Sequence, residues 1–362
     1  MDISEITAHF SVDLPATQFG NGHINSTYTL GDPPQYILQK INTAVFSDPN
    51  GLMKNVVAVT SYLREKIAEA GGDPDRETLT YLPTASGDYC YHDGDGNCWR
   101  MYRFIGNAQS YEAATPSLFA DSARAFARFQ KMLSAFPAKT LHETIPYFHD
   151  TGKRLEQLTE AIAKNQSGRA ADAQKEIEFA LSRADQTRII TDAICNGEIP
   201  LRVTHNDTKL NNILFDEATG NALCVIDLDT VMPGSLLYDY GDALRFGAST
   251  AAEDETNLSK VQFDLDLFSA YTDAYLQELA GSITPREAEL LPTGAKLMTL
   301  ECGMRFLADH INGDVYFRIH RENHNLDRAR TQFRLVEDME EKEAELKEIV
   351  HALCQKHGIL TV

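Results

Sequence analysis

Three polar residues in the middle of the chain have the types and spacing that phosphate chemistry requires. His205-Asn206-Asp207-Thr208-Lys209-Leu210-Asn211-Asn212 follows a strand-like stretch at 201–203. Ala222-Leu223-Cys224-Val225-Ile226 then leads into Asp227-Leu228-Asp229. Asp207, Asn212 and Asp227 therefore emerge from one short strand-rich island. Moving a phosphoryl group from ATP to a hydroxyl needs a carboxylate that orients the acceptor and takes its proton. It also needs an amide oxygen and a second carboxylate, both hard donors, to hold Mg²⁺ against the phosphates. The expectation is Asp207 as catalytic base, with Asn212 and Asp227 as metal ligands.

A triphosphate also needs a cradle, and the first hundred residues offer one. Gly20-Asn21-Gly22-His23-Ile24-Asn25 opens a hairpin. Backbone N–H groups at Gly20, Gly22 and Asn25 can cover phosphate oxygens without side-chain obstruction. The next strand, 35–41, carries Gln39 and Lys40 on opposite facings. Lys40 is the obvious phosphate-contacting cation, but the register that decides between the two is open. Its acidic partner is equally open, with Glu65 and Glu69 both late in the following helix. The strand at 99–105, with Tyr102, is expected to enter the connection between lobes, where backbone groups hold adenine.

The surrounding elements follow from periodicity. Leu52, Val56, Val59, Leu63 and Ile67 recur at helical spacing, and Gly71-Gly72-Asp73-Pro74 ends that helix. Gly31-Asp32-Pro33-Pro34 and Asp93-Gly94-Asp95-Gly96 read as hairpin turns, with further strand at 78–82, 89–92 and 97–105. Asp93-x-Asp95-x-Asn97 opens like a calcium loop, but Cys98 and Phe104 stand where that loop needs Gly and a bidentate Glu. After Gly106 the patterns over 117–136, 153–164 and 170–196 are helical. Helix resumes from 263 to the end, where seven acids against two bases over 337–348 mark a solvated face. The prediction is an α+β chain. A small antiparallel sheet lobe with one helix, residues 1–105, binds nucleotide, and a larger helical lobe, residues 106–362, carries catalysis.

Charge narrows the partners. The 362 residues include 33 Lys and Arg against 53 Asp and Glu, a net −20. Such a field repels nucleic-acid backbones and anionic lipid, so neither is an expected partner. No basic-then-apolar leader and no apolar run of about 18 residues occurs, which predicts a cytoplasmic protein, read here as a monomer. The six cysteines are scattered without a CxxC pair or zinc-type spacing, and are expected to be buried free thiols.

With these residues assembled, His205-x-Asp207-x4-Asn212 and its downstream Asp227 resemble the catalytic loop of protein-kinase-like enzymes. The D-F-G and A-P-E signatures of protein kinases are missing, and Asn25 stands where their loop has its third glycine. The sequence is similar to the aminoglycoside-phosphotransferase and choline-kinase branch, and within it to bacterial N-acetylhexosamine 1-kinases. The similar stretches are 19–28, 36–42, 204–215, 225–248, 301–317 and 323–337. Asp227-Leu228-Asp229-Thr230-Val231-Met232-Pro233-Gly234 and Tyr238-Asp239-Tyr240-Gly241-Asp242 are the most distinctive of them.

The resemblance implies a two-lobed protein-kinase-like fold. It also implies ATP- and Mg²⁺-dependent phosphorylation of the anomeric C1 hydroxyl of N-acetylglucosamine or N-acetylgalactosamine. His205, Asp229, Arg305, Asp309 and Tyr316 become sugar-contact candidates, and Asp239, Asp242 and Arg245 become braces for the catalytic loop. Two alternatives stand beside this. A kinase for another acceptor, such as choline, ethanolamine or an aminoglycoside, would in the choline case call for an aromatic cage, and the chain has one tryptophan, Trp99. A catalytically silent nucleotide-binding pseudokinase is the other.

Overall fold

Along the chain the structure, a computed structural model describing residues 3–20, 25–112 and 115–360, begins with α1 (Ile3–Ala8), β1 (Ala16–Gln18), β2 (Ser26–Leu30) and β3 (Tyr36–Ile41). Next come α2 (Pro49–Glu69), α3 (Pro74–Glu77), β4 (Tyr81–Leu82), β5 (Tyr91–His92), β6 (Cys98–Arg103) and β7 (Ala108–Gln109). The helices α4 (Pro116–Met132), α5 (Thr151–Lys164), α6 (Gln174–Leu181) and α7 (Ile189–Cys195) precede β8 (Arg202–Thr204), β9 (Ile213–Asp216), β10 (Ala222–Val225) and β11 (Met232–Gly234). Helices α8 (Leu236–Gly247), α9 (Leu265–Leu279), α10 (Pro285–Glu289), α11 (Leu291–Asn312), α12 (His324–Glu341) and α13 (Glu343–Lys356) complete it. The α+β class with an antiparallel N-terminal sheet and a helical C-terminal part is thus as expected. Among the described residues no helix is long and apolar enough to cross a membrane.

The chain forms two compact units, each discontinuous in sequence. The first comprises Met1–Glu112, Met132–Pro146 and Asn211–Pro233. Its main sheet runs β1-β2-β3-β6-β4, with β5 also paired to β6. The β3–β6 register sets Gln39 opposite Arg100 and Lys40 opposite Trp99. Because side chains alternate along a strand, Gln39, Arg100 and Tyr102 share one face while Lys40 takes the other. On that other face Leu38, Trp99 and Met101 pack with Ile6 and Phe10 of the N-terminal segment. Helix α2 starts three residues earlier than its apolar pattern indicates, because Asp48 caps the Gly51 N–H and Pro49 fits the first turn. The Asp93 turn forms as expected: its carboxylate accepts from the N–H groups of Asp95 and Asn97 and from Trp99 Nε1. A second sheet, β10-β9-β7, belongs to the same unit.

The second unit comprises Ala113–Lys131, Tyr147–Leu210 and Gly234–Val362. Helix α11 packs against α5, α8 and α12 around one large apolar core. The α8–α11 approach is close enough that a Cβ on Gly241 would lie 2.4 Å from the Gly294 carbonyl oxygen. Two expected helices are interrupted. The stretch 170–196 divides into α6 and α7 with short 3₁₀ turns, since the Arg183 guanidinium folds back to the Phe179 carbonyl and clasps Glu340. Residues 336–353 break at Lys342, whose ammonium reaches the Phe263 carbonyl and Asp338.

Candidate active site

In the second unit the loop after β8 is held almost entirely through its backbone. The Asp239 carboxylate accepts from the N–H of His205 at 3.0 Å and of Asn206 at 2.8 Å, and from the Gln130 amide. Asp242 accepts from the Thr208 N–H at 3.0 Å, while the Thr208 hydroxyl donates to the Asp239 carbonyl at 2.6 Å. Arg245 pairs with Asp242 at 3.0 Å. These three residues of α8 are the expected braces. Burial pushes the Asp239 carboxyl up, against the His205 ring and the N–H groups that favour its charge. Asn206 takes a left-handed turn with φ 66°, a conformation asparagine tolerates, and the chain then presents Asp207.

The side chains around Asp207 divide the labour. Its backbone N–H donates to His205 Nδ1 at 3.2 Å, and its carboxylate lies 2.7 Å from Lys209 Nζ. Burial disfavours the Lys209 charge, but Asp207 and Asp242 outweigh that and hold its pKa above the ordinary value. His205 is fully buried, with its ring edge-on to Phe126 and Phe129. It is therefore a part of the loop interior, and the expected sugar contact at His205 gives way to a positioning role. His149 braces the loop from below: its ring nitrogens meet the Asn206 carbonyl at 3.1 Å and Glu301 Oε1 at 2.8 Å. Burial works against the Glu301 carboxylate, yet His149, Arg154 and Arg305 keep its pKa below the usual value.

In the first unit, β9 and β10 bring the two candidate metal ligands to one end of a hairpin. The Ile226 N–H donates to the Asn212 carbonyl at 2.9 Å, so Asn212 stands across from the residue preceding Asp227. Asp227 is exposed and adopts φ 57°, ψ 57°, a strained conformation for a residue with a side chain. Two buried anchors hold the turn that follows. Asn55 of α2 donates to the Val231 carbonyl at 3.0 Å. Asp229 pairs with Arg100 at 2.5 Å, with both side chains at most 4% exposed.

That ion pair reorganises the expected nucleotide-side residues. Arg100 also donates twice to Gln39 Oε1, at 3.0 and 2.8 Å, and the Gln39 amide donates to Thr27. Asn25 donates to Asp229 at 2.7 Å and accepts the Asn42 N–H at 3.0 Å. Burial lowers the Arg100 guanidinium, but Asp229 reverses this and raises it. The cation on the Gln39 face is therefore Arg100, and Lys40 is on the opposite face. Asp229, expected to contact sugar, is committed to this buried pair. Glu65 is exposed and Glu69 pairs with Lys66, so neither meets that cation. Tyr102 lies on β6 against Tyr81, with ring centroids 5.4 Å apart. Gly20 is described, with φ 69°, whereas Gly22 lies outside the described residues.

The remaining sugar candidates separate cleanly. Asp309 is 5% exposed and accepts the N–H groups of Val315, Tyr316 and Phe317 and the Asn325 amide. With its oxygens filled, it shapes the loop after α11 and is not available to sugar. Tyr316 is 65% exposed. The Arg305 guanidinium lies 5.5 Å from the Phe148 and Phe317 rings and 6.0 Å from that of Tyr316. Phe148 in turn packs tilted against His149, with ring centroids 4.5 Å apart, which joins this aromatic group to the Asp207 loop. Sequence reasoning missed Arg100, Gln130 and Asn55, because each acts on a partner far away along the chain.

An antiparallel N-terminal sheet, a helical second unit and a braced His-x-Asp loop are the parts of a kinase-like fold. The chain belongs to the phosphotransferase enzyme family, whose model matches residues 15–279. In fold it is similar to the microcompartment-associated aminopropanol kinase, with TM-score 0.58 and 15% identity over 95% of this chain and 98% of that one. It is also similar to a choline/ethanolamine kinase family protein from Mesorhizobium loti, with TM-score 0.53 and 16% identity over 94% and 92% of the two chains. Spectinomycin phosphotransferase, solved with ADP and spectinomycin, matches with TM-score 0.55 and 13% identity over 98% of both chains.

Proposed function

We propose that this phosphotransferase transfers the γ-phosphoryl group of ATP to the anomeric C1 hydroxyl of an N-acetylhexosamine. Residues 1–105 then serve as the nucleotide-binding lobe and 106–362 as the catalytic and sugar-binding lobe. The observation that carries the chemistry is the Asp207 loop, whose backbone is fixed by Asp239, Asp242 and His149. A hemiacetal hydroxyl is more acidic than an ordinary alcohol, so Asp207 need only orient it and accept its proton as the O–P bond forms. The amide oxygen of Asn212 and the carboxylate of Asp227 are hard donors at one hairpin end, a set that suits Mg²⁺. Bound there, Mg²⁺ supplies charge neutralisation for the phosphates.

Support for a neutral acceptor comes from Arg305. The faces of Phe148, Tyr316 and Phe317 already carry its guanidinium, so a quaternary ammonium would meet a like charge where a choline site needs bare aromatic faces. A sugar offers hydroxyls to Arg305 and an apolar ring face to Tyr316. The test supplies ATP, Mg²⁺ and a panel of sugars and amines, follows ADP release and identifies products by phosphorus NMR. A C1 phosphate ester on N-acetylglucosamine or N-acetylgalactosamine is expected. Turnover with amines alone would overturn the sugar reading, and ATP binding without any turnover would favour a silent pseudokinase.

A further inference from the structure

We propose that Cys90, His92 and Cys98 form a binding site for one thiophilic divalent cation of the zinc class. In sequence the three are separated as Cys-x-His-x5-Cys, which matches no metal motif. The hairpin changes that. Cys90 immediately precedes β5, two residues from His92, and His92 pairs directly with Cys98 across β5–β6, which gathers the three.

The distances suit a tetrahedral ion. The three ligand atoms all lie within 4.8 Å of one another. Cys90 Sγ and His92 Nε2 are 3.8 Å apart, and Asn50 Oδ1 lies 3.3 Å from the first and 3.2 Å from the second. With Zn–S near 2.3 Å and Zn–N near 2.0 Å, tetrahedral ligands stand roughly 3.4–3.8 Å apart. The cluster therefore closes by no more than about 1 Å to reach coordination geometry. Asn50, in the first turn of α2, offers a carbonyl oxygen beside two of the three ligand atoms. Cys98 is buried, Cys90 half-buried and His92 exposed, which gives the ion a firm base and an open path. Two thiolates and an imidazole select a borderline-soft ion and discriminate against Mg²⁺, so this site is chemically distinct from Asn212 and Asp227. Both cysteines bind as thiolates, and any thiol proton passes to solvent.

Such an ion would fasten the hairpin to the start of α2, on the β6 face that carries Arg100 two residues further on. The test titrates the fully reduced full-length protein with Co²⁺ as a spectroscopic stand-in for Zn²⁺. One equivalent is expected to give a thiolate-to-cobalt charge-transfer band that Zn²⁺ abolishes. Cys90→Ser and His92→Ala, both at accessible positions, are each expected to weaken Co²⁺ binding about tenfold or more. Cys98→Ser should do the same once circular dichroism shows that it folds. Absence of the band in the reduced protein, or the same band and affinity in Cys90→Ser and His92→Ala, overturns the site. So does a Cys90–Cys98 disulfide in the isolated protein if its reduction restores no Co²⁺ binding.

Discussion

In the proposed reaction Asp207 must bring its carboxylate to the acceptor while its backbone stays still, and the two tasks fall to different residues. Asp239 and Asp242 hold the N–H groups on either side of it, and Lys209 sits 2.7 Å from the carboxylate. Replacing Asp207 with Asn keeps the shape and removes the proposed base. Turnover should drop by about 10²–10⁴ while ADP affinity, measured by calorimetry, is retained; near-normal turnover would remove Asp207 from its role. The Arg100–Asp229 pair invites a different substitution. Arg100→Met strands a carboxylate that is 4% exposed, and the loss of one buried partner costs about 3–5 kcal/mol. The double change Arg100→Met with Asp229→Asn removes the stranded charge, so urea unfolding should show it less destabilised than Arg100→Met alone. Asp207 was legible in the sequence as a candidate because its pattern is local: eight consecutive residues carry it. Arg100 was not, because its role depends on β3–β6 register and on a partner in a distant segment. Asp309 and Asp229 have the composition of sugar ligands, and only the structure shows their oxygens already taken.

At the scale of elements, the brace on the Asp207 loop is as good as the packing of α8, which carries Asp239, Asp242 and Arg245. Gly241 lets α8 meet α11 backbone to backbone, so Gly241→Val forces the helices apart. Overpacking of this kind costs about 1–3 kcal/mol, and because the brace moves with α8, turnover should fall along with the melting temperature. Gly94→Ala is the control: nothing lies within 4 Å of a Cβ there, and stability should hardly change. The β5–β6 turn makes a pH prediction. Burial pushes the Asp93 carboxyl up, but hydrogen bonds from Trp99, Asn97 and the Asp95 N–H prevail and bring it down to about 2 from 3.8. A carboxyl lowered by folding stabilises the protein above its unfolded pKa, and that stabilisation is lost as pH falls through the folded value. Wild type minus Asp93→Asn stability should therefore be constant above about pH 5 and shrink between pH 3.8 and 2. A difference independent of pH in denaturant titrations would contradict it. Elements with capping residues and Gly or Pro stops, such as α2 and the hairpins, were readable in advance. The breaks at Arg183 and Lys342 have no such punctuation, because tertiary partners of two long cations make them.

For the whole molecule the net charge of −20 sets a problem that the site must overcome. Much of the chain's positive charge is already answered by acids, as at Arg100, Arg202, Arg245 and Lys209. An incoming nucleotide anion therefore meets a repulsive field before it meets any donor. Screening weakens that field: the Debye length falls from about 30 Å at 0.01 M salt to about 8 Å at 0.15 M. Raising KCl over this range should tighten MgATP binding, the opposite of the trend for proteins that attract their anions. Metal-free ATP carries two more negative charges and should gain more from salt than MgATP does. The acceptor responds by its own charge. A neutral hexosamine should show a KM indifferent to KCl, whereas an amine acceptor drawn in by the same field should bind more weakly as salt rises. Steady-state kinetics at two salt concentrations, with nucleotide and acceptor varied separately, reads all of these signs. A nucleotide KM that climbs with KCl would mean that local cations such as Lys209 outweigh the global field.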